Sequence, residues 1–237
     1  MKKRRKKILV FANQKGGVGK TTICTLFANW LAKKGLSVDV VDADKQRTLS
    51  IKRSSDRKVY RKENGEKFDY DVVTLDIKDQ DSVINMMNVI ESDRYKKDVV
   101  LFDTPGNLTD DAMINILAGA DYILCPLTYD QNSLSSTGIF ISVLDDIRKE
   151  LNIDNYTFFV PTNLDKRTGT ASEKEIWAKT NEILEKYGSV APVIERRQCL
   201  TRFDTVVINS DQIKAVNECF EYLFKKIFIT DVPEFKS

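Results

Sequence analysis

Lys7-Ile8-Leu9-Val10-Phe11 runs through Ala12-Asn13 into Gln14-Lys15-Gly16-Gly17-Val18-Gly19-Lys20-Thr21-Thr22, and a helical pattern opens directly behind it. An apolar run, a glycine-rich turn and a Lys-Thr pair at a helix start are the parts of a phosphate-binding loop. Gly16, Gly17 and Gly19, with Val18 between them, let the backbone curl so that its N–H groups converge on phosphate oxygens. Lys20 would contact the β- and γ-phosphates, Thr21 would offer a hydroxyl to Mg²⁺, and Thr22 could reach the α-phosphate. The usual loop begins with a glycine, and here Gln14 stands in its place.

Working outward, apolar β-type runs alternate with helical patterns along the whole chain. Strands are expected at Lys7–Phe11, Ser37–Val41, Asp71–Leu75, Val99–Phe102, Tyr122–Leu127 and Tyr156–Val160, most of them continuously apolar. That is how strands covered on both faces of a parallel sheet read. Helices are expected at about 20–34, 80–92, 110–118, 133–151 and 171–187, the first ending at Lys33-Lys34-Gly35. The alternation implies an α/β fold: a doubly wound, mostly parallel sheet with helices on both faces, of P-loop NTPase type. No repeat or Pro/Ser-rich linker divides the chain, so 1–237 reads as a single domain. A final helix at about 211–228 collects Ala215, Val216, Cys219, Phe220, Leu223, Phe224, Ile227 and Phe228 on one face. Its polar face mixes acidic with basic residues, so it reads as core packing rather than membrane binding.

Two acidic motifs join the loop. Val40-Val41-Asp42-Ala43-Asp44 closes the second strand, and Val99-Val100-Leu101-Phe102-Asp103-Thr104-Pro105-Gly106 closes another in the manner of a Walker B strand. Carboxylates at the C-terminal edge of a parallel sheet lie beside the phosphate loop, where they can hold the water ligands of Mg²⁺ or orient an attacking water.

Composition removes other chemistries. The 237 residues include no histidine, which excludes Ser-His or Cys-His catalysis and His-ligated zinc. Cys24, Cys125, Cys199 and Cys219 form no C-x-x-C pair and read as reduced thiols of a cytoplasmic protein. No apolar segment approaches the roughly 18 residues of a membrane span, so a membrane partner is not expected. The net charge of +2 is unevenly spread. Residues 2–7 form a basic tail, and residues 45–67 form a basic surface insertion with nine Lys or Arg against three acids, over an otherwise acidic body. Glu63-Asn64-Gly65-Glu66 is a tight-turn signal, and its flanks are expected to pair as a short surface hairpin.

Taken together, Lys15-Gly16-Gly17-Val18-Gly19-Lys20-Thr21-Thr22 resembles the deviant Walker A motif of the ParA/MinD family of ATPases. The resemblance extends through Asp42-Ala43-Asp44, Asp103-Thr104-Pro105-Gly106 and Asp121–Leu127, and more weakly through Pro161-Thr162-Asn163-Leu164-Asp165-Lys166-Arg167. It is closest to short ParA-type partition ATPases that lack an N-terminal helix-turn-helix domain, given the short stretch ahead of the first strand.

The resemblance implies ATP/ADP and Mg²⁺ as ligands and an ATP-dependent homodimer. In that dimer Lys15 of one subunit reaches phosphates bound by the other. It makes Asp44 the residue that positions water and Asp42 a support for Mg²⁺. Asp103 becomes the Walker B carboxylate, and Asn163 a contact to adenine. It further implies non-specific DNA as a partner, with a ParB-like adaptor that stimulates hydrolysis. Arg196, Arg197 and Arg202, together with Lys2–Lys7 and the 45–67 tract, are the candidate DNA contacts, neutralising phosphates without reading bases. Such a protein would associate with the nucleoid.

Two departures stand out. Lys45 replaces the proline that the family usually carries before Gln46, and the 45–67 tract matches no family motif. A MinD-like membrane-cycling ATPase is the alternative reading, and a metabolic relative that carries electrons or inserts metal is a third. The last generally needs clustered cysteines.

Overall fold

The structure, a computed structural model, describes residues 6–64, 69–106, 112–165 and 169–230. Its sheet runs in the order β3-β2-β4-β1-β5-β6-β7, with β8 paired to β6 off that path. The strands are β1 Lys7–Phe11, β2 Val38–Asp42, β3 Tyr70–Thr74, β4 Val99–Asp103, β5 Tyr122–Leu127, β6 Tyr156–Leu164, β7 Ser189–Val190 and β8 Ile194–Glu195. All the pairings are parallel. β1 lies at the centre, its Phe11 level with Asp103 of β4. The phosphate loop therefore leaves the middle of the sheet at its C-terminal edge, the side on which doubly wound folds bind ligands.

The near-continuous apolar strands separate into two cores because successive side chains point to opposite faces. Leu9, Phe11, Val38, Val40, Leu101, Leu124 and Phe158 face one layer, where α1 (Lys20–Lys33) supplies Phe27 and Trp30 and α8 (Ser210–Phe224) supplies Phe220 and Leu223. Ile8, Val10, Val41, Val100, Phe102, Ile123 and Phe159 face the other, covered by α3 (Gln80–Glu91), α4 (Ala112–Ala118) and α5 (Gln131–Leu151). The expected face of the last helix is thus core, with Phe220 fully buried 4.8 Å from the Phe27 ring. That helix ends at Phe224, and Lys225–Ile229 continue as a π-helical turn. Two other helices are α6 (Ala171–Leu184) and the short α7 (Gln198–Thr201).

The hairpin expected in 45–67 is corrected. Thr48–Asn64 form a helix, α2, and the turn signal at Gly65-Glu66 falls outside the described residues. The helix wins because its inner stripe has partners that a hairpin would not reach. Leu49 is buried, and the guanidinium of Arg53 donates to the carbonyls of Thr205 and Tyr70 while stacking 4.3 Å over the Tyr70 ring. Asp56 accepts from the Thr205 N–H at 2.9 Å and its hydroxyl at 2.8 Å. Lys2–Arg5, Lys166, Arg167 and residues 110–111 of the expected fourth helix also lie outside the described residues.

Candidate nucleotide site

The phosphate loop is fixed at its base. Asn13 is fully buried, and its side-chain amide donates to the Pro126 carbonyl at 2.7 Å and to Thr137 Oγ1 at 3.0 Å. Gly17 and Gly19 have φ of 78° and 95°, left-handed conformations that a side chain disfavours, which explains glycine at both positions. Gly106 is required for a different reason. A Cβ there would lie 3.0 Å from the Gly16 nitrogen and 3.2 Å from its Cα, so the loop after β4 touches the phosphate loop backbone to backbone.

These segments enclose a cleft of about 620 Å³ walled by Gly16, Gly17 and Gly19 through Thr22 on one side, and by Asp44-Lys45-Gln46 and Pro105-Gly106 on the other. Lys20 is buried, and its ammonium donates to the Lys15 carbonyl at 2.8 Å and, more loosely, to that of Asn13 at 3.4 Å. Burial pushes its pKa down, while the charges of Asp103 and Asp44 oppose that shift. Lys45 lines the cleft where proline would have offered no charge. Arg47, two residues on, has a φ of 50°.

Asp42 and Asp103 sit level with each other on adjacent strands, and both are almost wholly buried. Their surroundings differ. Asp42 Oδ2 accepts from the Ser50 N–H at 2.8 Å and its hydroxyl at 2.6 Å, so this carboxylate holds the first turn of α2. Both oxygens of Asp103 are buried without a hydrogen-bond partner. Burial raises its carboxyl to about 7; Thr21, whose hydroxyl forms no well-made bond to it, and Lys20 pull it back, while Asp42 and Asp44 push it further up. A buried carboxyl with both oxygens unsatisfied, beside a threonine hydroxyl, fits a divalent cation held partly through water and phosphate oxygens. Thr21 and Asp103, with Asp42 beside them, could hold Mg²⁺ here. Asp44 lies on the rim, its Oδ1 accepting from the Gln46 N–H at 2.9 Å.

Lys15 does not line this cleft. It faces a separate groove of about 460 Å³ with Thr128, Tyr129, Asp130, Asn163 and Trp177. The rings of Tyr129 and Trp177 stack there at 5.6 Å. Hydrogen bonds from Thr128 and Ser133 hold the Asp130 carboxyl below its ordinary range, and the Lys15 charge adds to them. The two lysines of the loop thus serve opposite sides of it.

Beyond Gly17–Gly19 and Thr22 the cleft adjoins a less polar recess of about 220 Å³ with Ile23, Thr162, Asn163 and Leu200 in its wall. Thr162 Oγ1 donates to the Val18 carbonyl at 2.9 Å, tying β6 to the loop. Asn163 takes a φ of 58° at the irregularity where β6 meets β8. Arg196 and Arg197 line this same recess, and Arg197 pairs with Glu195 at 2.6 Å. Arg202, beyond α7, stands apart from both and is exposed. The structure therefore separates the three arginines grouped in the sequence. Sequence reasoning missed the bond between Asp42 and Ser50 and the Tyr129–Trp177 pair; neither has a motif to signal it.

The model of the CobQ/CobB/MinD/ParA nucleotide binding domain matches residues 9–205. The chromosome-partitioning ATPase Soj of Thermus thermophilus is 28% identical over 161 residues, covering 61% of this chain and 64% of that protein. In architecture the chain is similar to a plasmid partition protein from Borrelia burgdorferi bound to AMPPNP, with a TM-score of 0.72 at 23% identity over 94% of this chain and 100% of that one. It is also similar to the ATP complex of Cyanothece McdA, with a TM-score of 0.74 at 14% identity over 97% and 99%.

Proposed function

The chain belongs to the CobQ/CobB/MinD/ParA nucleotide-binding family, and from that premise we propose that it is a ParA-type partition ATPase. It binds ATP with Mg²⁺, closes as a sandwich dimer, engages DNA without sequence preference, and is released when a ParB-like adaptor stimulates hydrolysis. The observation that carries this reading is the division of labour around the loop: Lys20, Thr21 and Asp44 line one cleft, with Asp103 buried beside Lys20 and Thr21, while Lys15 lines another groove.

In this reading the N–H groups of Gly16–Thr22 and the Lys20 ammonium hold the β- and γ-phosphates. Thr21, Asp42 and Asp103 would hold Mg²⁺, which would supply positive charge against the phosphate oxygens. Asp44 orients the water that attacks the γ-phosphoryl group. Lys15 enters the partner's site, adding positive charge where it develops in the transition state. Its outward aspect suits a residue that acts in trans. The recess beside Asn163 receives the base, and Arg196 and Arg197, which border it, are less suited to DNA than Arg202.

The likeness in sequence to Soj supports partition over metabolism. Three of the four cysteines are buried and none is paired, which gives no site for an electron-carrying cluster. The MinD-like alternative needs an amphipathic helix available to lipid, whereas the apolar face of α8 packs in the core. Among the described residues no helix is long and apolar enough to cross a membrane.

Fluorescence anisotropy with a random-sequence duplex tests the reading, with Mg²⁺ and either ADP, ATP or a non-hydrolysable ATP analogue. Binding that appears with the triphosphates alone and weakens with salt is expected. Equal binding in every state would refute nucleotide gating, and no binding in any state would refute the DNA reading.

A further inference from the structure

The basic tract that matches no family motif is a helix laid over the edge of the sheet. Of the 17 residues of α2, six are Lys or Arg and two are acidic. Between the helix and edge strand β3 lies a groove of about 420 Å³, walled on the helix side by Ser50, Arg53, Ser54, Arg57, Lys58 and Arg61. These positions recur at helical spacing, so they form one stripe rather than a scatter. From Ser50 to Arg61 the stripe is about 16 Å long at 1.5 Å per residue. Arg53 is the fixed inner wall, tied to the Thr205 and Tyr70 carbonyls. Lys58 and Arg61 are exposed, and Arg57 is half-buried. The acidic residue of the inner face, Asp56, is turned away to Thr205, and Asp71 of β3 stands 3.9 Å from Arg57 in an exposed, weak pair.

We propose that this groove docks a nucleic-acid backbone, with Arg57, Lys58 and Arg61 neutralising phosphates and the Ser54 hydroxyl as a neutral donor at its rim. Nucleic acid as the occupant rests on the DNA-binding reading above; the groove and its charge do not. Duplex DNA carries one negative charge per roughly 1.7 Å of axis, so a stripe of this length faces several phosphates. Contacts of this kind go to phosphates and carry no sequence information.

The placement also ties the groove to the nucleotide cleft. Ser50, in the first turn of α2, bonds through both its N–H and its hydroxyl to Asp42, a proposed Mg²⁺ support. Farther along, Asp56 bonds to Thr205 and Lys52 lies 5.3 Å over the Phe203 ring, next to Arg202. These contacts hold the flank of α2 opposite the groove, so the helix is fixed while the basic stripe stays open.

The test compares the full-length wild type with a Lys58→Ala/Arg61→Ala double variant. Both bind the random duplex with the non-hydrolysable analogue and Mg²⁺ between roughly 50 and 200 mM salt. Each phosphate contact contributes about 0.9 to the slope of log affinity against log salt, so the variant should lose about 2 from that slope. Its affinity at the lower salt should fall by about tenfold or more, with fluorescent-ATP affinity and melting temperature unchanged. If the wild type binds and the variant keeps its slope, the groove is not the contact and the proposal fails alone. If the wild type binds no DNA in any nucleotide state, the DNA reading fails and takes the proposal with it. Wild-type binding to anionic-lipid vesicles instead, lost in the variant, would reassign the groove to a membrane surface and overturn the proposal.

Discussion

Asp56→Ala should detach α2 from the body of the protein. Asp56 Oδ2 takes two hydrogen bonds from Thr205, at 2.9 Å from its N–H and 2.8 Å from its hydroxyl, and Thr205 has no exposed surface. Hydrogen bonds to a charged group contribute about 1.5–3 kcal/mol each, and a buried donor left without a partner costs a similar amount. The ion pair to Lys52 at 3.1 Å adds little, because the Lys52 side chain is 33% exposed. The two Thr205 bonds are not independent, so a net loss of about 3 kcal/mol is expected. In a chain of this size that lowers the melting temperature by about 6–12 °C. Asp56→Asn keeps one acceptor oxygen and should lose about 1 kcal/mol. Urea titration of the three proteins measures the differences, and hydrogen exchange at the Thr205 amide locates them. A loss below about 1 kcal/mol in the alanine variant would refute the view that Asp56 anchors the helix.

Ser50→Ala removes the 2.6 Å bond to Asp42 and leaves the backbone bond at 2.8 Å, so urea titration should find a loss of about 1–2 kcal/mol. Gly106→Val drives a Cβ to within 3.0 Å of the Gly16 nitrogen on the lip of the cleft. Calorimetry should find ATP affinity lowered by about tenfold, about 1.4 kcal/mol, and unchanged affinity would contradict the close approach. The Asp103 carboxyl is raised from 3.8 to about 7, so the folded state holds a proton that the unfolded chain gives up first. In EDTA, stability should therefore fall as pH rises from about 4 to about 7 and level off above, by about 4 kcal/mol in full. Asp103→Asn should flatten that profile, and an unchanged profile would refute the assignment.

The centre of the molecule was legible in the sequence because its signals are local. β1, the glycine loop and α1 follow one another without interruption, and the left-handed Gly17 and Gly19 are a requirement written in residue type. The apolar strands announced a sheet covered on both sides, and the two cores flanking it have that form. α2 was misread because its inner stripe is Leu49, Arg53 and Asp56, held by hydrogen bonds to a loop some 150 residues away, which leaves no apolar period to see. The Asn64-Gly65 pair then gave a turn signal that the helix overrode up to Asn64. β7 and β8 are two residues each, too short for any period. Arg196 and Arg197 were grouped with Arg202 through the family resemblance, whereas α7 lies between them and the pair lines the recess beside Asn163.

The most direct test of a lysine acting across a dimer is complementation of hydrolysis. Lys15→Ala and Asp44→Ala are assayed separately and as an equal mixture with ATP and Mg²⁺. If Lys15 serves the partner's cleft, each variant alone is inactive, but a mixed dimer regains one complete site, and random pairing restores roughly a quarter of the wild-type rate. If Lys15 served its own cleft, every site in the mixture would lack one residue, and no activity would return.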